Sequence, residues 1–292
     1  MQFLYKIPGY ILLLFGGFCL SWGGFIIRSF EEATVWQILL LRSVFFMMAL
    51  MFFLIATYKK EVFKKIYVSG IPGLIGGIIL GIGFSSYVFA MYNTTVANTN
   101  FIIQTQTIFL AIFGYFFLKE KISKITLASI ILAISGLILM LGNTLSSGQM
   151  SGNIVAFVMP ITFASLILIV RRYPHVDMVP LQLVAGIVAM IIGFLASTKI
   201  SISLNDMFLA FLSGTFQIGL GFIFITIGAR KTLSAMVGII MLTEAILGPL
   251  WAWLFVNENP SFYVLIGGSI IILAVFLQFV SSFTKENKYN PQ

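Results

Sequence analysis

Apolar runs of about twenty residues, separated by breaks of only a few, fill this chain from Gly9 almost to its end. A helix of that length is about 30 Å long, the hydrocarbon thickness of a bilayer. Reading between charged or turn-rich breaks gives ten spans, near 9–28, 34–57, 68–91, 98–118, 123–142, 152–170, 180–197, 205–228, 234–256 and 261–282. The breaks are chemically distinct: Lys59-Lys60-Glu61 with Lys64-Lys65, Ser146-Ser147-Gly148, and Arg171-Arg172-Tyr173-Pro174. The weakest, Tyr92 to Ala97, carries no charge but two adjacent threonines and an asparagine. The first run, Gly9 to Ile27, lacks a small-residue cleavage site and reads as a retained span. Composition agrees: 60% of the 292 residues are hydrophobic and 9% charged, with mean hydropathy +1.07. A soluble domain has about 25% charged residues, so this surface is made for lipid.

The basic residues orient the spans. Of the 17 Lys and Arg, fourteen fall at the N-terminus, the C-terminus and the 2–3, 4–5, 6–7 and 8–9 loops, while Arg28 and Lys199 fall on the other side and Arg42 lies inside a span. Positive charge is retained on the cytoplasmic side, which places both termini there, in a multi-pass protein of a cell inner membrane. The net charge of +8 therefore reflects membrane topology and not a nucleic-acid surface.

The sequence also repeats. Shifted by 138 residues, 74–139 matches 212–277 without gaps at 16 of 66 positions. Gly81, Gly83 and Phe84 fall on Gly219, Gly221 and Phe222; Thr105 falls on Thr243, Glu120 on Glu258 and Ser123 on Ser261. Five spans is an odd number, so the second copy enters the membrane from the opposite face. The expected fold is an all-α membrane protein of ten transmembrane helices in two inverted five-helix repeats, 1–145 and 146–292. Such halves can rock about a central site. Spans 1 to 4 and 6 to 9 should line it, with spans 5 and 10 outside.

Ser21-Trp22-Gly23 in span 1, Arg42 in span 2, Lys119-Glu120-Lys121-Ile122-Ser123 after span 4, and its echo Glu258-Asn259-Pro260-Ser261 resemble the EamA family of the drug/metabolite transporter superfamily. The resemblance covers about residues 8 to 282. It implies a carrier of amino acids or other small metabolites; relatives carry nucleotide sugars or sugar phosphates. No arginine in span 7 matches Arg42, so the site is expected to be asymmetric.

Two full charges are read within the spans, Arg42 and Glu244. A charge at the centre of a lone helix costs about 3 kcal/mol or more, so each must face protein or water. Glu244, the repeat mate of Gln106, suits a proton carrier or a partner for a cargo amine; the bland alternative is a buried lock between spans. Arg42 suits a carboxylate or phosphate, because its planar fork donates two parallel hydrogen bonds; the alternatives are a fixed pair with Glu244 or snorkelling outward. Span 4 is polar on several sides (Asn98, Asn100, Gln104, Thr105, Gln106, Thr107) and so must be central, lining a cavity or bonding to neighbouring helices, with Gln104 and Gln106 as candidates for cargo contact. Tyr87, Trp22 and Trp251 are aromatic candidates for cargo contact, while Trp36 and Trp253 read as interfacial belt. Gly73, Gly77 and Gly81 form a close-packing ridge. Pro160 and Pro249 are candidate kinks in spans 6 and 9. Glu120 and Glu258 read as carboxylates at the starts of the helices that follow, and His175 and Asp177 as solvated.

Cys19 and His175 are the single cysteine and histidine, so neither a disulfide nor a multi-histidine metal site is expected, and no cofactor motif is present. There is no His-Glu-x-x-His, Gly-x-Ser-x-Gly or phosphate-loop motif, which argues against a membrane-embedded enzyme or an ATP-driven pump. No like-charged ring suggests a channel. The reading is a secondary carrier, not an enzyme, whose partners are a small-molecule substrate, the lipid bilayer and a proton as candidate coupling ion; cargo identity, direction and oligomeric state are left open. A flippase for a lipid-linked sugar, or a carrier of nucleotide sugars or sugar phosphates, is the alternative.

Overall fold

The structure is a computed structural model that describes residues 2–119, 124–142, 149–232 and 234–289. For 126, 137, 140–142, 235, 239, 242, 275 and 278–289 the backbone alone is described. Glu120 and the expected boundary between the halves lie outside the described residues.

All regular structure among these residues is helical. In order the helices are α1 (Gly9–Ser21), α2 (Gly23–Arg28), α3 (Val35–Tyr58), α4 (Val62–Asn93), α5 (Val96–Gln104), α6 (Gln106–Leu118), α7 (Lys124–Gly142), α8 (Met150–Ala156), α9 (Val158–Arg172), α10 (Leu181–Ala196) and α11 (Leu204–Leu212). A π-helical segment, Ser213–Leu220, leads into α12 (Gly221–Ala229), followed by α13 (Ser234–Ile240), α14 (Leu242–Val256) and α15 (Phe262–Tyr289). Among the described residues six apolar helical stretches are long enough to cross a membrane, and one, Val35–Asn93, holds both α3 and α4. Leu127–Gly136, Leu181–Ala196 and Phe262–Ala274 are shorter apolar helices.

Local chemistry sets the ends. Thr34 and Gln37 form a reciprocal capping box at the start of α3. Thr95 and Ser203 cap α5 and α11 by accepting from Asn98 N and Asp206 N. The weak break between spans 3 and 4 is present, as Thr94-Thr95 between α4 and α5. Inside α4, Gly70 takes φ 55°, which glycine adopts without a Cβ clash, so the helix turns sharply there just before Pro72.

Four helices are interrupted: one break is followed by Gly23-Gly24, one lies a turn before Pro160, and two have no glycine or proline beside them. Trp22 separates α1 from α2, Thr105 separates α5 from α6, Phe157 separates α8 from α9, and Met241 separates α13 from α14. All four are right-handed with ψ between −8° and −19°. The first and fourth helices of each half are thus each broken once. Pro160 lies in the first turn of α9, just past one break, whereas Pro249 sits within the unbroken α14. Lys119 and Asn257, 138 residues apart, both end their helices in the left-handed region, at φ 57° and 54°.

Packing interlocks the halves. α1 lies on α12 and α14, as α9 lies on α4 and α6. α3 lies on the π segment, as α10 lies on α4; α3 also meets α10, and α7 meets α15. Each contact has a counterpart with the halves exchanged. The expected glycine ridge works as read: at Gly77 and Gly81 a Cβ would lie 2.5 and 2.7 Å from the Val184 and Val188 Cβ atoms of α10. α7 and α15 pack at Gly136, where a Cβ would lie 2.7 Å from the Gly267 carbonyl, and expose Leu127, Ile131, Ile138, Phe262 and Leu265. Residues 96–107 are all buried, as the polarity of span 4 requires.

Candidate functional site

Arg42 projects from α3 into the interior and is 2% exposed. Its Nη2 donates to Gln217 Oε1 at 3.0 Å, and its guanidinium carbon stands 5.1 Å from the Tyr87 ring centroid. Nε and Nη1 have no hydrogen-bond partner. A desolvated cation over an aromatic face gains about 2 kcal/mol, which is small against the cost of burying a charge.

Glu244 follows the Met241 break on α14 and is 4% exposed. It lies within electrostatic reach of Arg42 and Tyr87. Among the described residues the one ion pair is Arg28–Glu258, so Arg42 and Glu244 do not pair directly. Nor does Arg42 snorkel.

Gln104 and Gln106 flank the Thr105 break, and both atoms of each amide are buried without a partner. The break changes the face assignment that one continuous helix would give beyond Thr105. Tyr87 Oη on α4, Trp22 Nε1 and Thr107 Oγ1 are also unpartnered. Each such atom costs about 1–3 kcal/mol if nothing satisfies it. Asn98 Nδ2 donates to Thr94 Oγ1 at 3.3 Å while its Oδ1 is unpartnered, and Asn100 packs on Gly248, where a Cβ would lie 2.0 Å from its Nδ2.

Gln217, which the sequence reading does not single out, completes the cluster. It sits in the π segment with Nε2 reaching the Leu20 carbonyl at 3.4 Å and Oε1 accepting from Arg42. At Gly23 a Cβ would lie 2.1 Å from Tyr87 Oη and 2.6 Å from Gln217 Nε2, so only glycine leaves room for both. The available signal was a glutamine in the middle of an apolar span, hidden because its repeat mate is Ile79.

Trp22 and Trp251 stack on each other, with ring centroids 4.7 Å apart and planes at 17°, and Phe255 extends the stack. Trp251 Nε1 donates to Ser21 Oγ at 3.0 Å. These two candidates therefore form an aromatic contact between the halves. Trp253 is exposed, as a belt residue should be, but Trp36 is half-buried against Phe89.

Each end of the bundle is joined by a carboxylate of the second half. At one end Arg28 Nε donates to Glu258 Oε2 at 3.0 Å, and Val96 N donates to Oε1 at 2.6 Å. Glu258 does face a helix start, but that of α5 and not of the helix that follows it. At the lysine-rich end the hydroxyls of Tyr5 and Tyr58 both donate to Asp177 Oδ2, and Lys231 Nζ donates to the Tyr5 carbonyl. Asp177 is thus half-buried and hydrogen-bonded, not a free loop carboxylate: residues 53 to 172 positions apart meet there. Burial holds its carboxyl above the usual aspartate range and pushes the Tyr5 phenol upward. Asp206, at the start of α11, is a further buried charge, fully enclosed by the N–H groups of Glu31, Glu32 and Ala33 at 2.9–3.1 Å. It anchors a loop and stands apart from the cluster.

The geometry matches known proteins. A solved crystal structure 13% identical in sequence superposes with a TM-score of 0.70, covering 93% of this chain and 97% of its own, which establishes a shared fold. An uncharacterized transporter of Clostridium kluyveri is 23% identical over 226 residues, covering 73% of each protein. The profile of the EamA-like transporter family matches twice, at 7–142 and 148–280. The chain is a multi-pass membrane protein of the EamA-like transporter family.

Proposed function

We propose that this transporter is a secondary carrier for a zwitterionic small metabolite, an amino acid or close derivative, with Arg42 taking the carboxylate and Glu244 the amine or an exchanged proton. One observation carries the reading. A buried guanidinium and a buried carboxylate stand near each other unpaired, amid unpartnered polar atoms of Trp22, Tyr87, Gln104 and Gln106. A stability element would pair such groups, because each orphan is costly. A binding site leaves them for a ligand. A phosphate cargo would call for more than one cation here.

The carrier has ten spans in two inverted halves, 1–145 and 146–292, in a cell inner membrane with both termini cytoplasmic. The exchanged packing of the halves, the four matching breaks and the paired helix ends at Lys119 and Asn257 support it. Broken helices at mid-membrane are how carriers present backbone dipoles to cargo. In alternating access the Arg28–Glu258 and Asp177–Tyr5 contacts open in turn.

The test is an unbiased one. Proteoliposomes holding the protein are loaded with cell extract, and the species that leave are identified. Release of amino acids or close derivatives is expected; release confined to nucleotide sugars, sugar phosphates or lipid-linked sugars would overturn the reading.

A further inference from the structure

We infer that Gln217 is the positioning residue that sets which cargo charge the site accepts, because it holds Arg42 without neutralising it. This rests on the zwitterion reading above.

Arginine is donor-only, so the atom facing Arg42 Nη2 must be the amide oxygen. That leaves Nε2 as the donor toward the Leu20 carbonyl. The amide is therefore fixed at both ends, with Ser213 Oγ a further contact to Oε1 at 3.4 Å. Gln217 is 1% exposed. The π-helical turn widens the backbone at this point, a rare geometry that is frequent at functional sites. Gly23 clears the space opposite. The tether crosses the halves: Gln217 belongs to the second, Arg42 and Leu20 to the first.

A neutral acceptor matters here. It orients the fork yet leaves the full positive charge, with Nε and Nη1 free for a cargo carboxylate. A glutamate of the same shape would accept the same hydrogen bond but pair with Arg42. The site would then hold one cation and two carboxylates in place of one of each. Its preferred cargo would change from carboxylate-bearing amine to amine alone.

The experiment uses purified full-length protein and a defined panel: the twenty standard amino acids and the amines formed by removing their carboxyl groups. Binding is read by ligand-induced thermal shift. Wild type should prefer an amino acid over its matching amine by at least tenfold. Gln217→Glu should reverse that order. Gln217→Leu, which releases Arg42, should weaken the amino acid at least tenfold without favouring the amine, and it decides the matter if Gln217→Glu does not fold. If Arg42→Gln abolishes the preference while both Gln217 variants keep the wild-type ratio, Gln217 has no such role and the zwitterion reading stands. If no amino acid binds wild type, or Arg42→Gln leaves the ratio unchanged, the zwitterion reading itself fails.

Discussion

Gly23→Ala adds one methyl group at the point where the cluster is tightest. The new Cβ would lie 2.1 Å from Tyr87 Oη and 2.6 Å from Gln217 Nε2, distances that real Cβ atoms do not tolerate. Both neighbours are themselves enclosed, at 3% and 1% exposure, so neither can simply swing away. Overpacking of this kind costs about 1–3 kcal/mol. Moving Gln217 also weakens its hydrogen bond to Arg42, and a bond to a charged group contributes about 1.5–3 kcal/mol. If cargo loses that much because Arg42 is misdirected, affinity falls roughly ten- to hundredfold, at 1.4 kcal/mol per decade. Gly17→Ala is the internal control: its Cβ meets Thr243 Cβ at 3.3 Å, a contact that a small shift relieves. The assay is counterflow exchange in proteoliposomes, with thermal unfolding in detergent to measure stability separately. Gly23→Ala should lose transport far more than Gly17→Ala while both remain folded. Equal, near-normal exchange by the two variants would show that the Tyr87–Gln217–Arg42 geometry does not govern cargo binding.

Asp206→Ala strands three backbone N–H groups and should destabilise the protein by about 3 kcal/mol or more; unfolding of the detergent-purified variant checks this, and Asp206→Asn should fall between the two. Arg28 and Glu258 are partly exposed, so removing the pair should change stability little; instead Glu258→Gln should raise labelling of a Thr243→Cys probe, in a Cys19→Ser background, by a membrane-impermeant maleimide added on the Glu258 side. Asp177 has a raised folded-state pKa, so the folded state binds its proton more tightly than the unfolded chain does. Burial and not the Tyr5 hydrogen bond causes that rise, so the stability tied to this carboxyl is greatest below aspartate's ordinary value of 3.8 and falls as pH rises through the raised value. Hydrogen exchange at residues 2–6 should lose protection over that range, and Asp177→Asn should remove the slope.

Some of this architecture is written locally. Twenty-residue apolar runs and one-sided lysines need no tertiary information, and the loops so assigned do meet, as Tyr5, Tyr58, Asp177 and Lys231 show. The 138-residue offset was legible in glycines, and its structural trace is the pair of left-handed caps at Lys119 and Asn257. Span 4 was legible because a helix polar on several sides has no lipid face. The breaks at Thr105 and Met241 were not, because no glycine or proline lies beside them; those at Trp22 and Phe157 stand next to Gly23-Gly24 and one turn before Pro160, the kink candidate of span 6. Asp177 was misread because its partners come from distant segments. Trp22 and Trp251 have the composition of a cargo contact, but sequence cannot show that their rings stack on each other. Nor could it show whether Arg42 and Glu244 touch, the distinction on which lock and site depend.

The central claim is that the unpaired Arg42 and Glu244 hold opposite ends of one cargo. The direct measurement is exchange of amino acid cargo by Arg42→Gln and Glu244→Gln in folded, correctly inserted protein, across a range of pH. The account predicts that both lose exchange, that Arg42→Gln tolerates a cargo whose carboxylate is replaced by a neutral amide, and that Glu244→Gln flattens the pH profile. Normal exchange by both variants, with an unchanged pH profile, would contradict it.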